Sequence, residues 1–218
     1  MARTSVVVLC GGMQTTAAVP WWGRVSSVLA PVLLIGGWTL AAALQPGGFD
    51  SRTRTISELA GLDATDRWVM TLGIAGVGVC HIVTALALRP AARVGRILLG
   101  LGGAASLLVA TFPLPAGGGD SRAHSTVATA SFVLLTVWAA YAGVRDGSAP
   151  WGLRRPVALA AGGVLALLTV WFFVTAVSGA GDVGLAERVA AGAQALWPAV
   201  VVATVPVVRR ARQGMLDP

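Results

Sequence analysis

Six stretches of the chain, residues 25–49, 68–88, 97–119, 123–144, 156–181 and 189–208, contain no Asp, Glu, Lys or Arg, and nearly every charge lies in the gaps between them. A helix of about 20 apolar residues is as long as a bilayer's hydrocarbon core is thick, and it satisfies its own backbone hydrogen bonds there. The spacing therefore predicts an all-α, polytopic membrane protein. Its bundle of six transmembrane helices is expected at about 25–44, 68–88, 97–115, 124–143, 157–178 and 189–208. An N-terminal tail, 1–24, in the cytoplasm or at the interface and a cytoplasmic C-terminal tail, 209–218, flank this one domain. No internal repeat and no linker divides it.

Composition points the same way. Hydrophobic residues make up 56% of the chain and charged ones 11%, against about a quarter in soluble domains, and the mean hydropathy is +0.76. The formal charge of +7 does not indicate nucleic acid, because the basic residues are scattered over short loops without interleaved aromatics. All sixteen are Arg, which fits codon bias in a GC-rich bacterium.

Assigned to alternate sides, the loops separate unequally. One side collects eleven Arg with Asp146 and Asp217; the other holds Arg52, Arg54, Arg67, Arg122 and Arg188 with seven acidic residues. Basic residues are retained in the cytoplasm during insertion. Both termini are thus expected to be cytoplasmic, the acidic loops extracytoplasmic, and the location a bacterial inner membrane. The third span is rich in small residues, Gly100 to Ser106, which permit close approach of helices within the bundle or between copies in an oligomer.

The longest loop, Gln45 to Arg67, carries the most information. It contains Gln45-Pro46-Gly47-Gly48-Phe49 and, further on, Ile56-Ser57-Glu58-Leu59. This pair of motifs resembles the signature loop of a bacterial membrane family, the domain of unknown function 998 family. Phe112-Pro113 followed by Asp120 and His124, and Glu187-Arg188 leading into a last helix with Trp197, are similar to further elements of that family. Ser125 departs from it where Gly is expected. The resemblance implies six helices and brings no established reaction.

Read physically, Thr55-Ile56-Ser57-Glu58 is a capping box that starts a short helix at the membrane surface. Glu58 has a second reading as an acid–base group. Arg54 either makes an ordinary surface ion pair or holds an anionic or polar head group. His124, expected at the extracytoplasmic mouth of the fourth helix, is either a helix-start hydrogen-bonding group or a general acid or base beside carboxylates. Glu58, Asp50 and His124 are accordingly the candidate catalytic residues, with Arg54, Ser57, Asp120, Glu187 and Arg188 as candidate substrate-binding residues. His81 lies about 20 Å along the second helix, in its cytoplasmic half, where a hydrogen bond to a neighbouring helix is the simpler role.

Two histidines at different depths do not suit a bis-His haem or a His-rich zinc site, and no cofactor or metal is expected; a mixed site of His124 with Asp120, Glu58 or Glu187 is the residual metal option. No nucleophile elbow or phosphate loop occurs. The expected spans carry no Asp, Glu, Lys or Arg, which leaves an ion pathway without its usual carriers. The partner expected is a membrane lipid or hydrophobic small molecule. The leading reading is a polar extracytoplasmic pocket that binds a lipid or isoprenoid-like molecule and performs isomerisation, cyclisation or hydrolysis on it by proton transfer. A non-catalytic lipid-binding or accessory protein is the alternative, and a small exporter or immunity protein a weaker one.

Overall fold

A computed structural model describes residues 18–117, 119, 121–179 and 181–207. Asp120, residues 1–17 with Arg3, and the C-terminal tail 209–218 with Arg209, Arg210 and Arg212 fall outside the described residues. The chain forms α1 (Trp21–Ala43), the one-turn α2 (Ile56–Leu59), α3 (Trp68–Ala87), α4 (Arg93–Thr111), α5 (Arg122–Tyr141), α6 (Arg155–Ser178) and α7 (Val183–Thr204), with a 3-10 turn at Trp151–Leu153. The expected all-helical bundle is what it folds into.

Five helices, α1, α3, α4, α5 and α6, are long and apolar enough to cross a membrane. The sixth long helix, α7, has 22 residues but carries Glu187, Arg188 and Gln194, which lower its hydropathy. It begins at Val183, six residues before the span expected from 189, so Glu187 and Arg188 stand within a bundle helix. The expected spans carry no Asp, Glu, Lys or Arg, and α7 departs from that expectation. A charge-free window misses such a helix, whose early turns are polar because they meet another part of the protein. The third long helix ends at Thr111, four residues short of expectation, where Phe112 and Pro113 take the chain out of helical geometry.

The six long helices run up and down in sequence order, each packed on the next, and α7 closes the ring against α1. Arg24 of α1 donates from Nη2 to the Val205 carbonyl at 2.6 Å, so the two described ends of the chain lie together. The opposite end, carrying residues 44–67, is called the loop end below. Three of these interfaces, α1–α3, α4–α5 and α5–α6, carry a hydroxyl pair: Ser26 with Thr84 at 2.9 Å, Ser106 with Ser131 at 2.9 Å and Thr136 with Thr169 at 2.8 Å. Gln194 of α7 donates to both Thr136 and Thr169, at 2.9 and 3.1 Å, and so joins three helices. The small residues of α4 are spent inside the bundle. A side chain at Gly103 would run into the Gly78 carbonyl of α3 at 2.6 Å.

Two apolar clusters form the core. Ile56, Leu59, Met70 and Ile74 dominate the one at the loop end, and Leu88, Leu99, Trp138 and Leu153 the one towards the chain ends. Burial of Ile56 and Leu59 drives α2 into the mouth of the bundle as a plug. Full burial of such side chains contributes about 1.5–3 kcal/mol each.

Candidate functional site

The signature loop is built by its own residues. Gln45 clasps its two ends together: its amide donates to the Ala41 and Thr65 carbonyls, each at 2.9 Å, and accepts from the Thr65 N–H at 3.1 Å. Gly47 and Gly48 follow at φ +76° and +89°, values that favour glycine. The chain then reverses, and Phe49 lies with the Arg54 guanidinium 4.4 Å from its ring centre and that of Arg188 at 5.7 Å.

The capping box forms in full. Thr55 Oγ1 accepts from the Glu58 N–H at 3.2 Å, and Glu58 Oε1 accepts from the Thr55 N–H at 2.8 Å. The other oxygen of Glu58 takes Nε–H of Arg54 at 2.8 Å. Glu58 and Arg54 border a surface groove of about 280 Å³, with Asp63, Leu114 and Pro115 opposite. Asp50 folds back on its own turn, accepting from the Arg52 N–H and the Thr53 hydroxyl, both at 2.9 Å. These bonds, that from the Arg52 backbone first, hold its carboxyl below the usual carboxylate range.

The loop is fastened to the start of α7. Gly184 comes so close to the Arg54 carbonyl that a Cβ there would collide with backbone. The Arg52 carbonyl accepts from the Leu185 N–H at 2.9 Å, and Arg188 Nη1 donates to the carbonyls of Ser51 and Arg54, each at 2.8 Å. Arg52 pairs with Asp182 at 2.7 Å on the exposed rim. Glu187 turns inward and is 4% exposed. Its carboxylate accepts from the Ile56 N–H, one of the donors left without a partner at the start of α2, and from the Ser57 hydroxyl at 3.4 Å.

Beneath this plug lies a cavity of about 70 Å³ inside the ring. Ile56, Ser57 and Glu187 border its upper end, and Leu34, Ile74, Val77, Val109, Phe132 and Leu135 supply apolar wall. Ser106, Ser131, Gln194 and His81 add polar groups. Along α7 its lining runs from Glu187 through Ala191 to Gln194 and Ala195, a stripe at helical spacing about 12 Å long.

The candidate residues are thus divided among several places. Glu58 and Arg54 meet at the surface groove, whereas Ser57 and Glu187 meet at the inner cavity. His124 is buried at the start of α5, where its Nδ1 lies 2.7 Å from the Phe112 carbonyl and its N–H is capped by Ser121. It borders neither the groove nor the cavity. Asp50, Glu58 and His124 are not brought together, and the mixed metal option finds no group of three His, Cys, Asp or Glu among the described residues. Gln194, Ser106 and Ser131 tie helices together and line the cavity as well, and His81, expected to bond a neighbouring helix, also lines it. His81 makes no hydrogen bond to a neighbouring helix. The helical stripe on α7 was the sequence signal for this face, obscured because Glu187 was assigned to a loop.

A family model described as "Protein of unknown function (DUF998)" matches residues 28–204. The chain belongs to this family. No curated protein and no solved structure gives a significant match. The DUF998 match runs from within α1 to the last residue of α7 and so takes in the signature loop, the plug and every residue lining the cavity.

Proposed function

We propose that this DUF998 protein sits in a bacterial inner membrane with α7 as its sixth span, its termini in the cytoplasm and its loop end outside. There it binds a membrane-dissolved amphiphile, a lipid or isoprenoid-like molecule, by the amphiphile's polar end. The distribution of arginines supports the orientation. The observation that carries the binding reading is the inner cavity: apolar walls, five neutral polar side chains and one carboxylate, with the plug at its upper end. Concave, mostly apolar sites with a few placed polar groups are the usual form of a small-molecule site.

If chemistry follows binding, the acid–base role belongs to Glu187. Glu58, Asp50 and His124 are engaged with their own loop or helix start, whereas Glu187 borders the inner cavity with an unsaturated set of lone pairs. Isomerisation, cyclisation or hydrolysis of the bound molecule are the reactions that a single proton donor or acceptor serves. Non-catalytic binding is favoured by a different observation, that both oxygens of Glu187 already accept bonds that fasten the plug.

Mass spectrometry of lipids co-purifying with the protein in mild detergent tests the binding reading. An Ala191→Leu variant, which fills the cavity, is expected to retain thermal stability and lose most of a specific amphiphile. Equal lipid content in the two proteins overturns the reading. Glu187→Gln keeps an acceptor for the Ile56 N–H while removing the titrating group, so unchanged conversion of an identified ligand would overturn the acid–base role.

A further inference from the structure

We propose that the inner cavity takes a neutral hydroxyl group, the end of an alcohol-type amphiphile, with His81 as its specific contact, and that phosphorylated ends are excluded. This rests on the binding reading above and names its ligand class. His81 is fully buried, and neither ring nitrogen has a hydrogen-bond partner. A neutral imidazole carries one donor and one acceptor, and each buried polar group left unsatisfied costs about 1–3 kcal/mol. His81 is one of the residues that line the cavity. The Ser106–Ser131 hydroxyl pair, 2.9 Å apart, borders it too.

A hydroxyl matches this wall because it both donates and accepts. It accepts from the ring N–H or donates to the ring lone pair, and the serine hydroxyls complete its bonding. A phosphate end meets Glu187, the one formally charged residue of the lining, and no Arg or Lys of the lining to balance it. The nearest guanidinium in sequence, that of Arg188, binds loop carbonyls through Nη1, and although its Nε and Nη2 have no partner, Arg188 does not line the cavity. The volume of about 70 Å³ admits a hydroxyl with a few carbons, about twice the share of one liquid water molecule. The tail is assigned to the side of Phe132, which lines the cavity and packs against two half-buried rings of α6, tilted on Phe172 at 4.7 Å and edge-on to Phe173 at 6.0 Å.

The chain holds only two histidines, so 15N-histidine NMR of the full-length protein in lipid nanodiscs reports on His81 directly, with His81→Gln and His124→Gln variants assigning the signals. Titration with 1-octanol is expected to move the His81 ring nitrogens saturably and leave those of His124 in place. Octyl phosphate is expected to leave His81 unmoved. An equal response to octyl phosphate overturns the hydroxyl assignment. So does a His81 signal already hydrogen-bonded and indifferent to 1-octanol, the result for a cavity filled by water alone. Should Ala191→Leu shed a co-purifying amphiphile while His81 ignores 1-octanol, this assignment fails and the binding reading stands. Should Ala191→Leu shed nothing, the binding reading itself fails.

Discussion

Glu187 shows how one side chain can serve both the fold and a site. Its carboxylate is 4% exposed and satisfies the Ile56 N–H at the start of the plug. Glu187→Ala leaves that donor buried without a partner, a loss of about 1–3 kcal/mol that thermal unfolding in detergent will show, while Glu187→Gln, which retains an acceptor, is expected to lose less. Asp50 offers a pH-dependent counterpart. Because the Arg52 N–H and the Thr53 hydroxyl lower its pKa in the fold, its contribution is present above the ordinary value of 3.8 and is lost as pH falls through the lower folded value. Protease cleavage of residues 45–67 should therefore rise below about pH 4 and rise less steeply in Asp50→Asn. The sequence named Glu187 and Asp50 as residue types worth attention. It did not reveal that one faces the inner cavity and the other its own turn, because burial depends on what packs against a residue from elsewhere in the chain.

At the scale of elements, what was legible is what is local. The capping box of α2 joins residues three apart, and both of its bonds are present in the structure. Thr55→Ala should destabilise the loop by about 1 kcal/mol, measured as faster amide exchange over 56–60 without a change in helix content. The start of α7 was less legible. Its early turns are polar because they bind the carbonyls of a loop more than 130 positions away. A charge-free window places such a helix late. Gly184→Val tests this docking: the added side chain meets the Arg54 carbonyl and should lift the loop, exposing it to protease while α3 to α6 keep their unfolding transition.

For the molecule as a whole, the ring of helices brings both described chain ends to one end of the bundle and the signature loop to the other. With Cys10 and Cys80 replaced, a cysteine at Ser51 should react with an impermeant maleimide added outside cells, and one at Ser148 only after the membrane is opened. The reverse pattern would invert the proposed orientation.

Charge-free stretches, loop arginines and the Gln45-to-Leu59 motifs by themselves determined that this chain is a helical membrane protein of the DUF998 family. Each of those features is read from neighbouring residues, since hydrocarbon thickness sets helix length and local hydrogen bonds set a cap. The cavity draws on α1, the plug, α3, α4, α5 and α7, and so was decided only by how the ring closes. Tertiary packing left His81 without a protein partner and turned Glu187 inward, because the depth and direction of a side chain follow from the helices around it.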